Sequence, residues 1–290
     1  MERELGFRRI LLATDGSEQA AAAVDATIKL ARYSPATVRV FHVWNLDVHH
    51  RHGFWDVEVH AEAERLVQDT VDRLTRAGVM AEKEVFRADP DLVADAIAAT
   101  VRQIRADLVV MGSRGLSSWQ SLIRHSVSHQ VLAAVDCPVL IIRAGMHGSF
   151  ANRRRVLVAV AGGDDVKVAV KAAAAVMQPV ESVAMVVHVA QAMVGAQGFA
   201  YVESDEEINA TMDRACAALR DAGITTESRV LRSGPVARGI AEIAAEWDAD
   251  LIVTGSSRMG DVASSLLGSV SYDLLHNSDL PVLIAERMKN

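Results

Sequence analysis

The feature that most constrains the fold of this chain is an internal repeat at half its length. The repeated segments keep one order, and the best match, ADLVVMGS against ADLIVTGS, is identical at six of eight positions. The matching pairs are 8–13 with 154–159, 106–113 with 249–256, 126–128 with 269–271 and 137–141 with 280–284. The offset is 146 at the first pair and 143 at the others, so two copies align with a net gap of three residues. The chain is therefore expected to fold as two similar domains.

Each copy alternates short apolar runs with longer amphipathic stretches. In the first copy the apolar runs are 10–13, 38–43, 85–86, 108–111 and 139–142. Such runs, rich in β-branched residues, predict strands that are buried on both faces of a parallel sheet. The segments between them show helical spacing, as in Val93, Ile97 and Val101. The pattern predicts an α/β fold: two tandem copies of an open, doubly wound, mostly parallel five-stranded sheet with helices on both faces.

The stretch 144–152 has two glycines and no periodicity, so it is the expected linker between a domain at 1–146 and a domain at 152–290. A formal charge of −7 argues against nucleic acid as a partner, and no apolar stretch is long enough to cross a membrane. Neither the two cysteines nor the start of the chain suggests secretion. These observations predict a cytoplasmic protein.

Two strand ends of the first copy carry residues suited to binding. In A-T-D-G-S at 13–17, Asp15 can accept a hydrogen bond from a sugar hydroxyl or a base amine, and Asp15 or Ser17 can cap the next helix. The second place is G-S-R-G at 112–115, followed after nine residues by His125 and Ser126. Glycines let the backbone approach a phosphate, and the amides of a helix that begins at Ser126 favour an anion.

This order of motifs, with His42 and Val43 ending the second strand and P-V-L-I in the fifth, resembles the universal stress protein family. The duplication resembles the tandem two-domain members of that family. The resemblance implies the strand order 3-2-1-4-5 and an ATP site made of G-x-x-G, nine residues, then Gly-Ser or Gly-Thr. It also implies that the two copies dock through their fifth strands as an internal pseudo-dimer, with further homodimerisation left open.

Carried over residue by residue, the resemblance implies a nucleotide site in the first copy. The adenosine would lie against Ala13, Thr14, Asp15 and the backbone of Val43. The phosphates, with or without Mg²⁺, would lie against Gly112, Arg114, Gly115, His125, Ser126, Val127 and Ser128. His125 stands where the pattern has glycine, so its side chain intrudes on the phosphate position, although an imidazole beside Arg114 could also donate to phosphate oxygens.

The second copy departs from the pattern elsewhere. Ala161 stands at the place of Asp15, and Arg258 replaces the second glycine. Its weaker candidates for phosphate binding are Gly255, Gly268, Ser269, Val270 and Ser271.

Several alternatives stay open at this point. The segment 161–166 faintly resembles the S-G-G-x-D-S loop of ATP pyrophosphatases, but it lacks both serines. Trp44 and Trp119 could stack on a base or fill gaps between helices. The histidines at 49, 50, 52 and 60 have no spacing that fixes a metal geometry, so no protein-bound metal is assigned.

The sequence thus favours a non-catalytic stress-response protein that binds an adenine nucleotide, with ATP as the first candidate and the first copy as the main site. No general base is recognised, so catalysis would amount at most to slow ATP hydrolysis. The alternative is an interaction module that has lost nucleotide binding and acts through protein partners or another small ligand.

Overall fold

The chain consists of two compact units, which we call the N-terminal unit (Phe7–Ala144) and the C-terminal unit (Gly145–Asn290). The structure is a computed structural model. It describes residues 6–44, 46–47, 56–57, 60–113, 126–143, 145–146, 153–162, 165–178, 180–190, 192–195, 198–201, 203–232, 235–255 and 269–285.

The N-terminal unit alternates strands and helices. Its elements are β1 (Arg9–Ala13), α1 (Glu18–Ala31), β2 (Thr37–Trp44), β3 (Leu46–Asp47), β4 (Asp56–Val57), α2 (His60–Arg76), β5 (Met80–Arg87), a 3₁₀ turn (Pro90–Leu92), α3 (Val93–Ile104), β6 (Leu108–Gly112), α4 (Val127–Ala134) and β7 (Val139–Ile142). Within the described part of this unit, five parallel strands pair in the order β5-β2-β1-β6-β7. Strands β3 and β4 form a separate short antiparallel pair. The predicted order 3-2-1-4-5 is confirmed.

The C-terminal unit repeats this arrangement. Its elements are β8 (Arg153–Val160), α5 (Asp165–Met177), β9 (Glu181–Val189), β10 (Ala192–Gly195), β11 (Gly198–Tyr201), α6 (Asp205–Asp221), β12 (Thr225–Leu231), α7 (Val236–Glu246), β13 (Leu251–Gly255), α8 (Ser269–Asn277) and β14 (Val282–Ala285). The parallel strands described here follow the order β12-β9-β8-β13-β14. Strands β10 and β11 form an antiparallel hairpin. The predicted fold class is confirmed for both copies.

The centre of each sheet is apolar because its strands are covered on both faces. Leu11 and Leu12 of β1 are fully buried, as are Val109 and Val110 of β6. Helix α1 covers this region with small side chains such as Ala23, which lets it approach the strands closely. None of the helices in the described residues has the length and hydrophobicity that a membrane span requires.

The expectation that every strand is buried on both faces is wrong for the third strand of the first copy. The predicted run 85–86 is the end of the longer strand β5, which lies at the edge of the sheet. Phe86 is 45% exposed and Met80 is 59% exposed. The polar residues before Val85 are accommodated because an edge strand faces water and because Arg39 of β2 pairs with Glu84 at 2.9 Å.

Candidate functional site

The topology of the N-terminal unit creates a crevice at the carboxyl edge of its sheet. From β1 the chain passes through α1 to β2 on one side, and it returns through α3 to β6 on the other side of β1. Ligands of open α/β sheets bind at such a switch point, outside the carboxyl ends of the strands. Asp15 follows β1 and Gly112 ends β6, so these two predicted site residues flank the switch point.

The turn between β1 and α1 is held by hydrogen bonds of its own residues. Thr14 is buried, and its N–H donates to the carbonyl of Phe41 at 3.0 Å. Gly16 has φ +76°, a left-handed conformation that glycine adopts without strain. Ser17 caps α1 by accepting from the N–H of Ala20 at 3.2 Å. The predicted helix start after Asp15 is therefore confirmed, with Ser17 as the N-cap.

Asp15 is exposed, and its carboxylate is oriented by Ser17. Oδ1 accepts from the backbone N–H of Ser17 at 3.0 Å and from its hydroxyl at 2.5 Å. These bonds form an Asx-type turn that holds the side chain beside the end of β1. Ala13, the last residue of β1, is partly buried. The carboxylate is therefore fixed at the edge of the crevice while it remains open to solvent.

His42 connects the end of β2 to this turn. It is buried, and its Nδ1 lies 2.7 Å from the carbonyl oxygen of Thr14. A carbonyl only accepts, so Nδ1 carries the proton and donates. The neighbouring Val43 is half-buried, and the ring of Trp44 contacts the guanidinium of Arg87 at 5.4 Å. The sequence prediction quoted His42 as part of the family pattern but gave it no role.

Gly112 is required by the packing of α1. A Cβ at this position would lie 2.6 Å from the carbonyl carbon of Gln19 and 2.8 Å from the backbone nitrogen of Ala20. Since both are backbone atoms of the first turn of α1, no side-chain rotation relieves the clash. The role of Gly112 in admitting a phosphate stays a prediction, because helix packing alone accounts for the glycine.

The helix start predicted at Ser126 is present as α4, and its binding of an anion stays a prediction. Ser126 is its N-cap, and its Oγ lies 2.7 Å from Nδ1 of His129 and 3.2 Å from Oγ of Ser128. Val127 is half-buried and Ser128 is buried. The hydroxyl of Ser126 therefore belongs to a local network. The other predicted phosphate contacts, Arg114, Gly115 and His125, lie outside the described residues, as does Trp119.

The C-terminal unit places its weaker candidates in equivalent positions. Gly255 ends β13, Ser269 begins α8, and the half-buried Val270 follows. Ser271 is buried, and its hydroxyl donates to the carbonyl of Gly255 at 3.1 Å. Gly268 lies outside the described residues.

The sequence prediction missed a pair of side chains at the carboxyl edge of the C-terminal sheet. Nε2 of His188 lies 2.8 Å from Oε2 of Glu203, and Nδ1 of His188 lies 3.0 Å from the carbonyl oxygen of Val160. His188 follows His42 at the repeat offset of 146. The segment G-F-x-x-V-E at 198–203 recurs at 53–58, and this recurrence is the signal from which Glu203 could have been found.

The histidine-rich segment of the first copy is described only at its end. His60 is exposed; its ring lies 5.4 Å from that of Trp44, and its Nε2 lies 3.7 Å from a carboxylate oxygen of Glu64. The histidines at 49, 50 and 52 lie outside the described residues. Within the part of the chain that the structure describes, no group of three or more His, Cys, Asp or Glu side chains is placed to hold a metal ion.

Comparison with known proteins decides the family. The sequence model of the universal stress protein family matches residues 6–143 and again residues 152–286. The chain belongs to the universal stress protein family. The predicted resemblance and the tandem duplication are thereby confirmed.

Two universal stress proteins each match about half of this chain over nearly their full lengths. Universal stress protein YxiE of Bacillus subtilis is 29% identical over 150 residues, which cover 47% of this chain and 99% of that protein. A universal stress protein of Thermus aquaticus is 31% identical over 138 residues, which cover 47% of this chain and 99% of that protein.

The solved structure of a universal stress protein from Archaeoglobus fulgidus agrees with the fold, with a TM-score of 0.74 at 22% identity over 97% of each chain. Two shorter family structures are a complex with cAMP, which covers 48% of this chain, and an Arabidopsis thaliana protein with AMP bound, which covers 47%. Their TM-scores are 0.39 and 0.35 at 24% and 22% identity, respectively.

Proposed function

We propose that this universal stress protein binds an adenine nucleotide, with ATP as the first candidate, in the crevice of its N-terminal unit, and that it acts without catalysing a reaction. The observation that carries the proposal is the position of Asp15, an exposed carboxylate held by Ser17 at the switch point of the sheet. A carboxylate held in this way accepts hydrogen bonds from the hydroxyls of a ribose without further ordering.

The remaining contacts extend the proposed site along the crevice. Thr14, Ala13 and the backbone of Val43 would line the adenosine end, beside the histidine that fixes the turn. The amides of Val127 and Ser128 at the start of α4 would meet the phosphates, since the N-terminus of a helix favours an anion. Gly112, Arg114, Gly115, His125 and Ser126 complete the proposed phosphate end.

The test is calorimetric titration of the full chain with ATP, AMP and cAMP. We expect Asp15→Asn to weaken binding about tenfold or more, because a hydrogen bond to a charged group contributes about 1.5–3 kcal/mol. The amide oxygen of the variant still accepts from the N–H of Ser17, so the turn is kept. Asp72→Asn is the matched control, since Asp72 is an exposed carboxylate on α2 that accepts from Gln68 at 2.8 Å.

A second variant tests the phosphate end. The substitution His125→Gly restores the glycine that the family pattern has at this position. We expect it to raise the affinity for ATP and to leave the affinity for adenosine unchanged. An unchanged affinity for ATP would remove residue 125 from the proposed site.

One observation favours the alternative of an interaction module without a nucleotide. The two best candidates for nucleotide binding in the N-terminal unit both have local structural roles. Asp15 orders its turn, and the lack of a side chain at Gly112 lets α1 pack closely against β6. If none of the three nucleotides binds at millimolar concentration, this alternative replaces the nucleotide proposal. Docking through the fifth strands, further homodimerisation, the domain limits 1–146 and 152–290 and a cytoplasmic location stay predictions in either case.

A further inference from the structure

The C-terminal unit has a carboxylate at the edge of its sheet although the residue corresponding to Asp15 is Ala161. Glu203 lies two residues before α6, and its side chain is 26% exposed. Its Oε1 would lie 3.5 Å from a Cβ built on Gly162, which follows the end of β8. Ala161 and Gly162 are both exposed, so the edge beside the carboxylate is open to solvent. The segment before α6 therefore supplies an acidic group beside the strand end, where Ala161 replaces the aspartate of the first copy.

His188 holds this carboxylate in place. Its side chain is only 2% exposed, and it lies at the end of β9, beside β8 in the sheet. The carbonyl of Val160 only accepts, so Nδ1 of His188 must donate to it. The orientation of the imidazole is therefore fixed, and Nε2 points at Oε2 of Glu203 at 2.8 Å. The 2.8 Å contact engages Oε2 of Glu203, and Oε1 is the oxygen that faces Gly162.

Two of the three adjacent acidic residues are engaged elsewhere, and the third, Glu206, is exposed in the first turn of α6. Glu207 accepts from the N–H and the hydroxyl of Ser204 in a capping box, and these bonds hold the pKa of its carboxyl below the ordinary value. Asp205 pairs with Arg232 at 2.7 Å. Of the acidic residues at 203–207, Glu203 is therefore the one held at the sheet edge, through His188.

The internal repeat places a histidine at the same position of each sheet, whereas the acidic residue beside the strand end differs between the two copies. In the N-terminal unit, His42 contacts the carbonyl of Thr14 just as His188 contacts that of Val160. That unit also carries Asp15 after its first strand, whereas the C-terminal unit has Ala161 at the corresponding position and Glu203 beside its histidine. Glu58, the counterpart of Glu203 in sequence, lies outside the described residues.

We infer that Glu203, positioned by His188, is the carboxyl group with which the C-terminal unit binds the ribose hydroxyls of a nucleoside or nucleoside monophosphate. The inference rests on the proposed function for the class of ligand. The open edge at Gly162 gives the ligand access to Oε1, and the hydroxyls of a ribose supply the donors that this oxygen accepts. The second copy then has its own binding site, and the acidic group of that site belongs to the segment before α6.

The experiment counts AMP sites on the full chain by calorimetry, in the wild type and in Glu203→Gln, Asp15→Asn and Glu206→Gln. The side-chain amide introduced by Glu203→Gln can still form a hydrogen bond with Nε2 of His188, so the variant keeps this contact but replaces a carboxylate acceptor by a neutral and weaker one. Labelling of the buried Cys216 by a thiol reagent checks that the C-terminal unit is folded. Glu206 is the matched control, because it is an exposed glutamate in the first turn of α6.

We expect two AMP sites in the wild type and in Glu206→Gln. Glu203→Gln should weaken one of them at least tenfold, and Asp15→Asn should weaken the other. A single site that is lost in Asp15→Asn and kept in Glu203→Gln overturns this inference and leaves the proposed function intact. A single site with the opposite behaviour supports the inference and overturns the proposal for the N-terminal unit. Absence of binding at millimolar AMP overturns this inference, and the proposed function is overturned only if ATP and cAMP also fail to bind.

Discussion

Replacing Gly112 by alanine tests the packing of α1 against β6. The new Cβ would lie 2.6 Å from the backbone of Gln19, whereas ordinary contact begins at 3.4 Å, so α1 must move by about 0.8 Å. Overpacking of this kind costs about 2–3 kcal/mol. The repeat provides a matched control in Gly255, where the nearest atoms are Cβ and the carbonyl oxygen of Asp165 at 3.2 and 3.3 Å. A displacement of about 0.2 Å should cost less than about 1 kcal/mol.

The two cysteines make the assay specific to each unit. Cys137 is buried in the N-terminal unit and Cys216 in the C-terminal unit, so thiol labelling in urea, read by mass spectrometry, reports the opening of each unit separately. Gly112→Ala should increase the opening equilibrium at Cys137 by about 30- to 150-fold. Gly255→Ala should change that at Cys216 by less than about fivefold. Equal effects of the two variants would refute the packing argument, because the repeat places both glycines at the same strand end.

Three further predictions concern polar groups that are buried or partly buried. His42→Leu should destabilise the N-terminal unit by about 1–3 kcal/mol, measured by Cys137 labelling, because it leaves the carbonyl of Thr14 without its donor; His42→Asn should recover part of the loss. Cys216 should react with iodoacetamide at pH 8 far more slowly in the native chain than in urea, because burial raises the pKa of its thiol; equal rates would contradict this. Burial also raises the pKa of Asp107, although the N–H groups of Arg8 and Arg9 donate to its carboxylate at 2.9 Å. As the pH rises, the Asp107 carboxyl therefore loses its proton in the unfolded chain before it does so in the folded chain. The free energy of unfolding of the wild type, relative to that of Asp107→Asn, should fall as the pH rises above about 4. Urea titrations at several pH values measure this difference, and a rise would contradict the prediction.

The fold was accessible from the sequence because its signals are local. The apolar runs at 10–13 and 108–111 predict buried strands because each run holds enough β-branched and aliphatic surface to be buried on both faces. Ser17 and Ser126 were recognisable as helix starts because a cap bonds within three residues of its own position. Because the two copies align, each strand and helix predicted in one copy could also be predicted in the other.

The edge strand β5 shows where local signals fail. Its first residues are polar, and the run 85–86 alone looks too short for a strand of eight residues. What orders Met80–Arg87 is the parallel pairing with all of β2, whose backbone groups supply the hydrogen bonds. No pattern within the segment reports that pairing.

The sequence by itself determined the number of copies, the class of fold and the positions at which strands end and helices begin. These features follow from the periodic burial of side chains, which a few neighbouring residues define. Only the tertiary structure decided why Gly112 is glycine and which carboxylate lies at the sheet edge of the second copy. Gly112 meets a turn that lies more than ninety residues away in sequence. Glu203 reaches Gly162 because a histidine on an adjacent strand holds it there. Hydrogen bonds and close approaches of this kind depend on which strand ends the completed sheet brings together, and that juxtaposition has no local period to reveal it.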